Sequence, residues 1–128
     1  MFVKPLRYER AESWAHACDL LRSSDGEAKA IAGGQSLLPL MNLGLLELDV
    51  VVDLGRIEDA RGVRVGDDGY ATIGALTPHR VLERSEDLAS AQPLIPAAVS
   101  WIGSARIRSR GTLGGSLAHS DPSADRRR

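Results

Sequence analysis

Two glycine pairs, each followed by small polar side chains, are the residues of this chain whose spacing indicates ligand binding. The first pair, Gly33-Gly34, ends a short apolar run and is followed by Gln35 and Ser36. Glycine tolerates positive φ and has no Cβ, so successive main-chain N–H groups at such a turn can point at an anion such as a diphosphate. A turn that only reverses the chain direction is the alternative interpretation.

The second pair, Gly114-Gly115, lies between Thr112 and Ser116 in the other glycine-rich loop. We expect the two loops to face one another and to supply N–H donors from both sides of one diphosphate. The hydroxyls of Ser36, Thr112 and Ser116 would complete the shell. Two such loops are more than either turn needs for structure alone, so the sequence favours a diphosphate ligand.

Other kinds of site lack the residues they need. His119 and Asp121 are too few for a metal site, and no spaced cysteine supplies further ligands. Ser120 is the sequence neighbour of His119, which does not give the geometry of a nucleophile and its base. The chain has neither the Gly-x-Gly-x-x-Gly pattern nor the Gly-Lys-Ser/Thr phosphate loop. We therefore expect no metal site and no catalytic side chain.

Composition describes an ordinary globular domain. The 128 residues are 43% hydrophobic and 26% charged, with a net charge of -1. That charge gives no reason to expect nucleic acid or an anionic membrane surface as a partner. The longest apolar run, residues 37–46, is interrupted by Asn42 and is too short to span a bilayer, so we expect no membrane insertion. The single cysteine and the lack of a secretory pattern predict a reducing cytoplasm.

The elements that position the glycine pairs are predicted from periodicity. A strand before Gly33, a short helix over 37–46 and a β-branched strand over 49–54 form a βαβ pattern typical of a parallel sheet. Alternating residues around a turn then predict a hairpin over 61–74. We place the boundary between the two lobes within 55–61.

A first helix is expected behind an N-cap at Ser13. Trp14, Ala17, Cys18 and Leu21 follow the spacing of one apolar helix face. That spacing predicts a buried Cys18 that acts as a packed core thiol and not as a nucleophile.

Three further helical or polar segments precede the second glycine pair. Residues 78–84 predict a helix, in which His79 is interpreted as a partly exposed polar residue, with a ligand contact as the alternative. Residues 93–102 predict a mostly buried helix, with Trp101 used for packing. The alternating basic residues of 106–110 indicate either a solvated edge or a surface facing a phosphate or a partner.

These motifs together resemble the FAD-binding medium subunit of the molybdenum hydroxylases, the family of the carbon monoxide dehydrogenase and xanthine dehydrogenase flavoproteins. The resemblance runs through almost the whole chain in order and spacing. It rests on the motifs at 32–39, at 73–77 and at 110–119, the last followed by Asp121-Pro122.

The resemblance implies an α+β FAD-binding fold of the type shared with vanillyl-alcohol oxidase. A small βαβ lobe, residues 1–55, would carry the first FAD diphosphate loop, and a partial antiparallel α+β lobe, residues 56–128, the second. Ala75 and Thr77 would lie along the cofactor, and Asp125 would contact the flavin or its ribityl chain. The implied cofactor-binding residues are Ala32, Gly33, Gly34, Gln35, Ser36, Leu37, Ala75, Thr77, Thr112, Gly114, Gly115, Ser116 and Asp125.

The resemblance also implies a role in electron transfer. In such enzymes electrons leave the substrate at a molybdopterin-binding large subunit, cross the 2Fe-2S clusters of a small subunit and pass through FAD to an external acceptor. No side chain of this chain need act as acid or base, because the cofactor does the redox chemistry. The chain stops at Asp125-Arg126-Arg127-Arg128, where relatives continue, so we expect a truncated N-terminal part. The alternative function is a non-catalytic remnant or subunit-assembly module that does not retain FAD.

Overall fold

The computed structural model describes residues 4–121, and the chain divides into two compact units, Met1–Glu58 and Asp59–Arg128. The first unit contains, in chain order, β1 (Arg7–Arg10), α1 (Trp14–Arg22), β2 (Ala28–Ile31), α2 (Leu37–Asn42) and β3 (Val50–Asp53). A short 3₁₀ helix, Glu58–Ala60, lies at the division. The second unit contains β4 (Val63–Val65), β5 (Ala71–Ile73), α3 (His79–Glu83), α4 (Glu86–Ala91), α5 (Leu94–Ser100), α6 (Ala105–Arg110) and α7 (Leu113–His119).

β3 is the central strand of a parallel sheet in which the strands lie in the order β1, β3, β2. The register pairs Tyr8 of β1 and Lys29 of β2 with Val51. Val50, Val51 and Val52 are all buried, and β-branched side chains suit a strand that is covered on both faces. The predicted parallel strand–helix–strand unit, β2–α2–β3, is confirmed.

The core of the first unit lies directly under the connection between β2 and α2. Met41 of α2 packs with Leu48 and with Val51 of the central strand, and all three are buried. Ile31 and Leu37, the residues on either side of the first glycine loop, pack against this cluster. Each fully buried apolar side chain stabilises the fold by about 2 kcal/mol. The first glycine loop is therefore held at both ends by the core.

The apolar face of α1 differs from the predicted one. Ser13 caps the helix as predicted, because its hydroxyl accepts a hydrogen bond from the N–H of His16 at 3.1 Å. Ala17 is buried and Leu20 and Leu21 are half-buried, whereas Cys18 is exposed. The prediction of a buried core thiol was wrong. The residues at i, i+3 and i+4 from Ala17 form the face toward the sheet, and Cys18 lies about 100° around the helix from it.

In the second unit, β4 and β5 form the predicted antiparallel hairpin, with Val63 opposite Ile73. The hairpin packs against a cluster formed by Leu82 of α3, Leu88 of α4 and Val99 of α5, all buried. Helices thus cover the hairpin, and the predicted combination of antiparallel strands and helices in this part of the chain is confirmed.

Two segments of the second unit differ from prediction. Trp101 is 73% exposed and follows α5 on the surface, so its prediction as a packing residue was wrong. Val99 is the only buried residue of α5, and the half-buried Ile95 packs against the same core cluster, so most of the helix lies outside the core. Residues 106–110 belong to the helix α6 and do not form an edge. Helical geometry places Arg106 and Arg110 on one exposed face and turns Arg108 inward.

Candidate functional site

The first glycine loop joins the carboxyl end of β2 to α2. Residues 32–36 are all half-buried. Gly34 has φ of +73°, and a Cβ there would lie 3.0 Å from Cδ1 of Leu38. A positive φ strains any residue with a side chain, so the loop conformation depends on glycine at this position. The predicted turn between strand and helix is confirmed.

The main-chain donors of this loop are the feature that bears on function. Within residues 4–121, the N–H groups of residues 32–37 donate no hydrogen bond. The loop's acceptors are used instead: the carbonyl of Gly34 accepts from the N–H of Leu38 at 3.1 Å, and that of Gly33 accepts from Nε2 of Gln35 at 3.2 Å. These half-buried N–H groups need hydrogen-bond acceptors, and an anion is a ligand that can supply them.

The position of this loop in the sheet also favours a ligand. In open parallel sheets, ligands bind outside the carboxyl ends of the strands. Asp53 ends the neighbouring strand β3 at this edge. Its carboxylate accepts from the hydroxyl of Tyr8 and from the N–H of Gly55, the latter at 2.8 Å. These donors satisfy the carboxylate that ends this edge of the sheet.

The second glycine pair is not in a loop. α7 begins at Leu113, and Gly114 and Gly115 lie in its first turn. Thr112 is the N-cap, and its hydroxyl accepts from the N–H of Gly115 at 3.2 Å. The prediction of a second glycine loop was wrong in conformation. Glycine is unfavourable inside a helix, but a good N-cap and tertiary contacts outweigh that propensity here.

The main-chain donors of this turn are committed within the chain. The N–H of Leu113 donates to the carbonyl of Thr77 at 3.2 Å, and that of Gly114 donates to the carbonyl of Ala75 at 2.8 Å. The N–H of Ser116 donates to the carbonyl of Thr112 at 3.1 Å. The start of α7 therefore differs from the first loop, whose N–H groups have no such acceptors in the described part of the chain.

Close packing explains the glycine at position 114. A Cβ there would lie 2.7 Å from both Cβ and the carbonyl oxygen of Ala75. Ala75 itself is exposed, whereas Thr77 is 1% exposed. The hydroxyl of Thr77 accepts from the N–H of Gly62 at 2.9 Å and donates to its carbonyl at 3.0 Å. In this structure both residues support the start of α7 through their carbonyls.

The burial of His79 and its contact with Ser116 are what the sequence interpretation missed. His79 is 2% exposed, so its interpretation as a partly exposed polar residue was wrong. Its Nε2 lies 3.0 Å from Oγ of Ser116, and its N–H donates to the carbonyl of Gly111 at 2.9 Å. Burial lowers the pKa of His79. The pairing joins residues 37 positions apart, and no local pattern in the sequence indicates it.

The basic segment before α7 divides into structural and exposed side chains. Arg108 donates to Glu83 from Nε at 3.1 Å and to the carbonyls of Ile102 and Gly103 at 3.1 Å each. The hydrogen bond from Arg108 is the main cause that lowers the pKa of Glu83. Arg108 is thus committed to the fold, and the predicted phosphate- or partner-facing role is left to the exposed Arg106 and Arg110.

Other predicted features are outside this geometry. Asp125 lies outside the described residues. Within residues 4–121, no group of three or more His, Cys, Asp or Glu side chains is placed to hold a metal ion. In the same part of the chain, no helix has the length and apolar character of a membrane span.

Comparison with known proteins identifies the family. Residues 4–127 match the family model described as the FAD binding domain in molybdopterin dehydrogenase. The chain is 43% identical over 126 residues to the nicotine 6-hydroxylase medium subunit of Paenarthrobacter nicotinovorans, covering 98% of this chain and 44% of the relative. It is 36% identical over 125 residues to the carbon monoxide dehydrogenase medium chain of Hydrogenophaga pseudoflava, covering 98% and 43%.

Solved structures agree with the sequence matches. The chain is similar to a carbon monoxide dehydrogenase from Hydrogenophaga pseudoflava with a TM-score of 0.92 and 35% identity, covering 98% of this chain and 43% of that one. A quinoline 2-oxidoreductase from Pseudomonas putida 86 matches with a TM-score of 0.87 and 31% identity, covering 94% and 42%. The chain spans less than half the length of these relatives. The predicted family, fold class and cofactor are confirmed: the chain belongs to the family of FAD-binding domains in molybdopterin dehydrogenases.

Proposed function

We propose that this chain holds FAD as part of the medium subunit of a molybdopterin-dependent dehydrogenase. The observation that carries the proposal is the run of unused N–H donors at residues 32–37, in the half-buried loop at the carboxyl edge of the parallel sheet. An FAD diphosphate supplies acceptors only, and it matches a set that consists of donors only. The flavin, when bound, accepts and passes on electrons, so the chain itself needs no catalytic side chain.

The two glycine segments take different parts in this proposal. Ala32, Gly33, Gly34, Gln35, Ser36 and Leu37 would bind the diphosphate through main-chain N–H groups. The start of α7 would contribute through the hydroxyl of Ser116, an exposed residue, with Thr112, Gly114 and Gly115 fixing the helix start. Ala75 and Thr77 would lie along the cofactor and support that helix start through their carbonyls, and Asp125 remains a proposed flavin or ribityl contact. Each lobe, 1–55 and 56–128, would then carry one FAD-binding segment.

The partners proposed for the whole enzyme follow from the relatives. Three of them, each matched over 125 or 126 residues, are the medium subunit of a nicotine 6-hydroxylase and the medium chains of a glyceraldehyde dehydrogenase and a carbon monoxide dehydrogenase. We propose a molybdopterin-binding large subunit and a small 2Fe-2S subunit as partners, with electrons passing from the iron–sulfur clusters through FAD to an external acceptor. The exposed free thiol of Cys18 is compatible with the proposed reducing cytoplasm.

A second candidate function is a remnant or assembly module that does not retain FAD. The observation that favours it is the start of α7, where the N–H groups of Leu113, Gly114 and Ser116 already donate to carbonyls within the chain. The second segment therefore offers a diphosphate fewer donors than two open glycine loops would.

Flavin binding by the purified chain separates the two candidates. FAD is added to the chain and the quenching of flavin fluorescence is followed, with riboflavin, which lacks the diphosphate, as the matched control ligand. The proposal predicts that the chain quenches FAD fluorescence to a saturable level and riboflavin fluorescence only slightly. It also predicts that inorganic pyrophosphate displaces FAD. Equal binding of FAD and riboflavin would contradict the diphosphate site. Binding of neither would favour the assembly module.

A further inference from the structure

His79 contacts both ends of the segment that begins α7. Its N–H donates to the carbonyl of Gly111 at 2.9 Å, before the helix, and its Nε2 lies 3.0 Å from Oγ of Ser116, within the helix. Its ring also packs on Gly111, where a Cβ would lie 3.0 Å from Cδ2 of the imidazole. One buried residue of α3 therefore fixes the path of the chain from Gly111 to Ser116.

The proton on the imidazole can be placed by the partners of its two nitrogens. Burial lowers the pKa of His79, so the ring is neutral near pH 7 and carries one N–H. Within residues 4–121, Nδ1 has no hydrogen-bond partner. A buried N–H without an acceptor is rarer in proteins than a buried acceptor without a donor. The hydrogen therefore lies on Nε2, from which it is donated to Ser116.

This tautomer determines what Ser116 offers to a ligand. Its Oγ accepts the hydrogen bond from His79, so its own hydroxyl hydrogen is available to another acceptor. In the opposite tautomer Ser116 would donate to His79 and present only lone pairs, which repel phosphate oxygens. The N–H groups of Gly114, Gly115 and Ser116 are already used, so the hydroxyl of Ser116 is the donor that this turn retains.

We propose that His79 is a positioning residue for FAD, which orders the first turn of α7 and leaves the hydroxyl hydrogen of Ser116 available to an acceptor atom of the cofactor. This inference rests on the proposed function. His79 does not itself contact the cofactor in this scheme and acts only through Ser116 and the helix start.

A double-mutant cycle measures the coupling. The variants are His79→Phe, Ser116→Ala and the two combined, with His16→Phe on the exposed face of α1 as the control. Each single change at the pair should weaken FAD binding about tenfold, the value of one hydrogen bond to a charged group. The double variant should bind no more weakly than the weaker single variant, because both remove the same interaction. Additive losses, or unchanged affinity in His79→Phe, would overturn the proposal.

Rescue separates positioning from a packing role. His79→Gln keeps an amide that can donate to Ser116 and should recover most of the lost affinity, whereas His79→Leu should not. If both bind FAD equally, His79 acts by packing alone and the positioning role is overturned.

Hydrogen exchange of the FAD-free chain tests the ordering of α7 independently. The N–H groups of Gly115 and Ser116 should exchange about tenfold faster in His79→Phe than in the unaltered chain, with exchange in β3 unchanged. Unchanged exchange at α7 would overturn the positioning role alone. If the unaltered chain binds no FAD, the proposed function fails and the cofactor role of His79 fails with it, while accelerated exchange would still establish its hold on the helix.

Discussion

The N–H of Gly114 donates to the carbonyl of Ala75 at 2.8 Å, and a Cβ at position 114 would lie 2.7 Å from that same oxygen. The hydrogen bond forms only because the backbone of Gly114 lies this close to the carbonyl oxygen of Ala75. Helix α7 starts against the backbone after β5 only because residue 114 has no side chain. The second glycine pair thus allows two segments of the chain to pack closely. An interpretation from the local sequence alone predicts a ligand-binding loop there instead.

Gly114→Ala should lower the free energy of unfolding by about 2 kcal/mol, as is typical for a side chain forced into a packed site. The new methyl group would meet backbone, which cannot move aside as a flexible side chain can. Helix propensity acts in the opposite direction, since alanine is favoured over glycine by about 1 kcal/mol inside a helix. Urea unfolding measures the net effect of the steric contact and the helix propensity. A variant more stable than the unaltered chain would contradict the close contact. Adding Ala75→Gly should recover only part of the loss, because the carbonyl contact persists.

Gly34→Ala should weaken FAD binding at least tenfold, because strain at φ of +73° would turn the N–H groups of the first loop away from a common direction. The matched control is Gly69→Ala in the β4–β5 turn, where φ is +80° and no atom lies within 4 Å of the new methyl group. Both variants should lose about 1 kcal/mol of stability from backbone strain. Titration with FAD should separate them, and equal affinity in the two variants would count against a diphosphate at the first loop.

The parts of the fold that the sequence predicts are those with local causes. A β-branched run predicts β3, and paired glycines after an apolar run predict the turn that precedes α2. The position of Gly34 at positive φ agrees with that local signal. The βαβ unit and the first glycine loop therefore follow from neighbouring residues.

The second glycine segment depends in part on contacts between distant residues. Gly114 and Gly115 are helical because Thr112 caps the turn and the carbonyl of Ala75 accepts from the N–H of Gly114. The cap is local in the sequence, but the contact with Ala75 is not. The contact of His79 with Ser116 likewise joins residues 37 positions apart. The exposure of Trp101 is likewise a tertiary outcome, since an apolar residue after a helix indicates burial only when something packs on it.

Stability should fall as the pH is lowered below about 6.5, the ordinary pKa of histidine. Burial lowers the pKa of His79 in the folded chain, so the unfolded chain binds more protons in this range. The contribution of His79 to stability is fully present above the pKa that its ring has in the unfolded chain. It is lost progressively as the pH falls toward the pKa of the ring in the folded chain. The pKa values of Glu83 and Asp49 are also lowered, but their contributions are lost only at more acidic pH, below about 4.5.

His79→Gln provides the control for this pH dependence. It removes the titrating ring and keeps a polar amide, so the fall in the midpoint of urea unfolding between pH 7 and pH 5 should be smaller than in the unaltered chain. His16 and His119 remain in both proteins, so the difference between them reports on His79. An unchanged slope would mean that His79 is protonated as readily in the folded chain as in the unfolded one.

Arg108→Ala should lower the free energy of unfolding by about 2 kcal/mol, because its guanidinium donates to the carbonyls of Ile102 and Gly103 as well as to Glu83. The side chain is only 12% exposed, so water cannot fully replace these hydrogen bonds. Glu83 keeps its second partner, Arg80 at 3.0 Å, and is not left without a cation. Chemical unfolding monitored by circular dichroism measures the loss.

Arg106→Ala is the matched control, because it removes the same side chain from the same helix at an exposed position. Surface substitutions of this kind change stability by no more than about 0.5 kcal/mol. If Arg106 faces a partner subunit, its variant should instead weaken assembly of the complex at unchanged stability, which size-exclusion chromatography with the partner subunits would detect. Equal destabilisation by the two variants would show that helix propensity, and not the hydrogen bonds of Arg108, accounts for the loss.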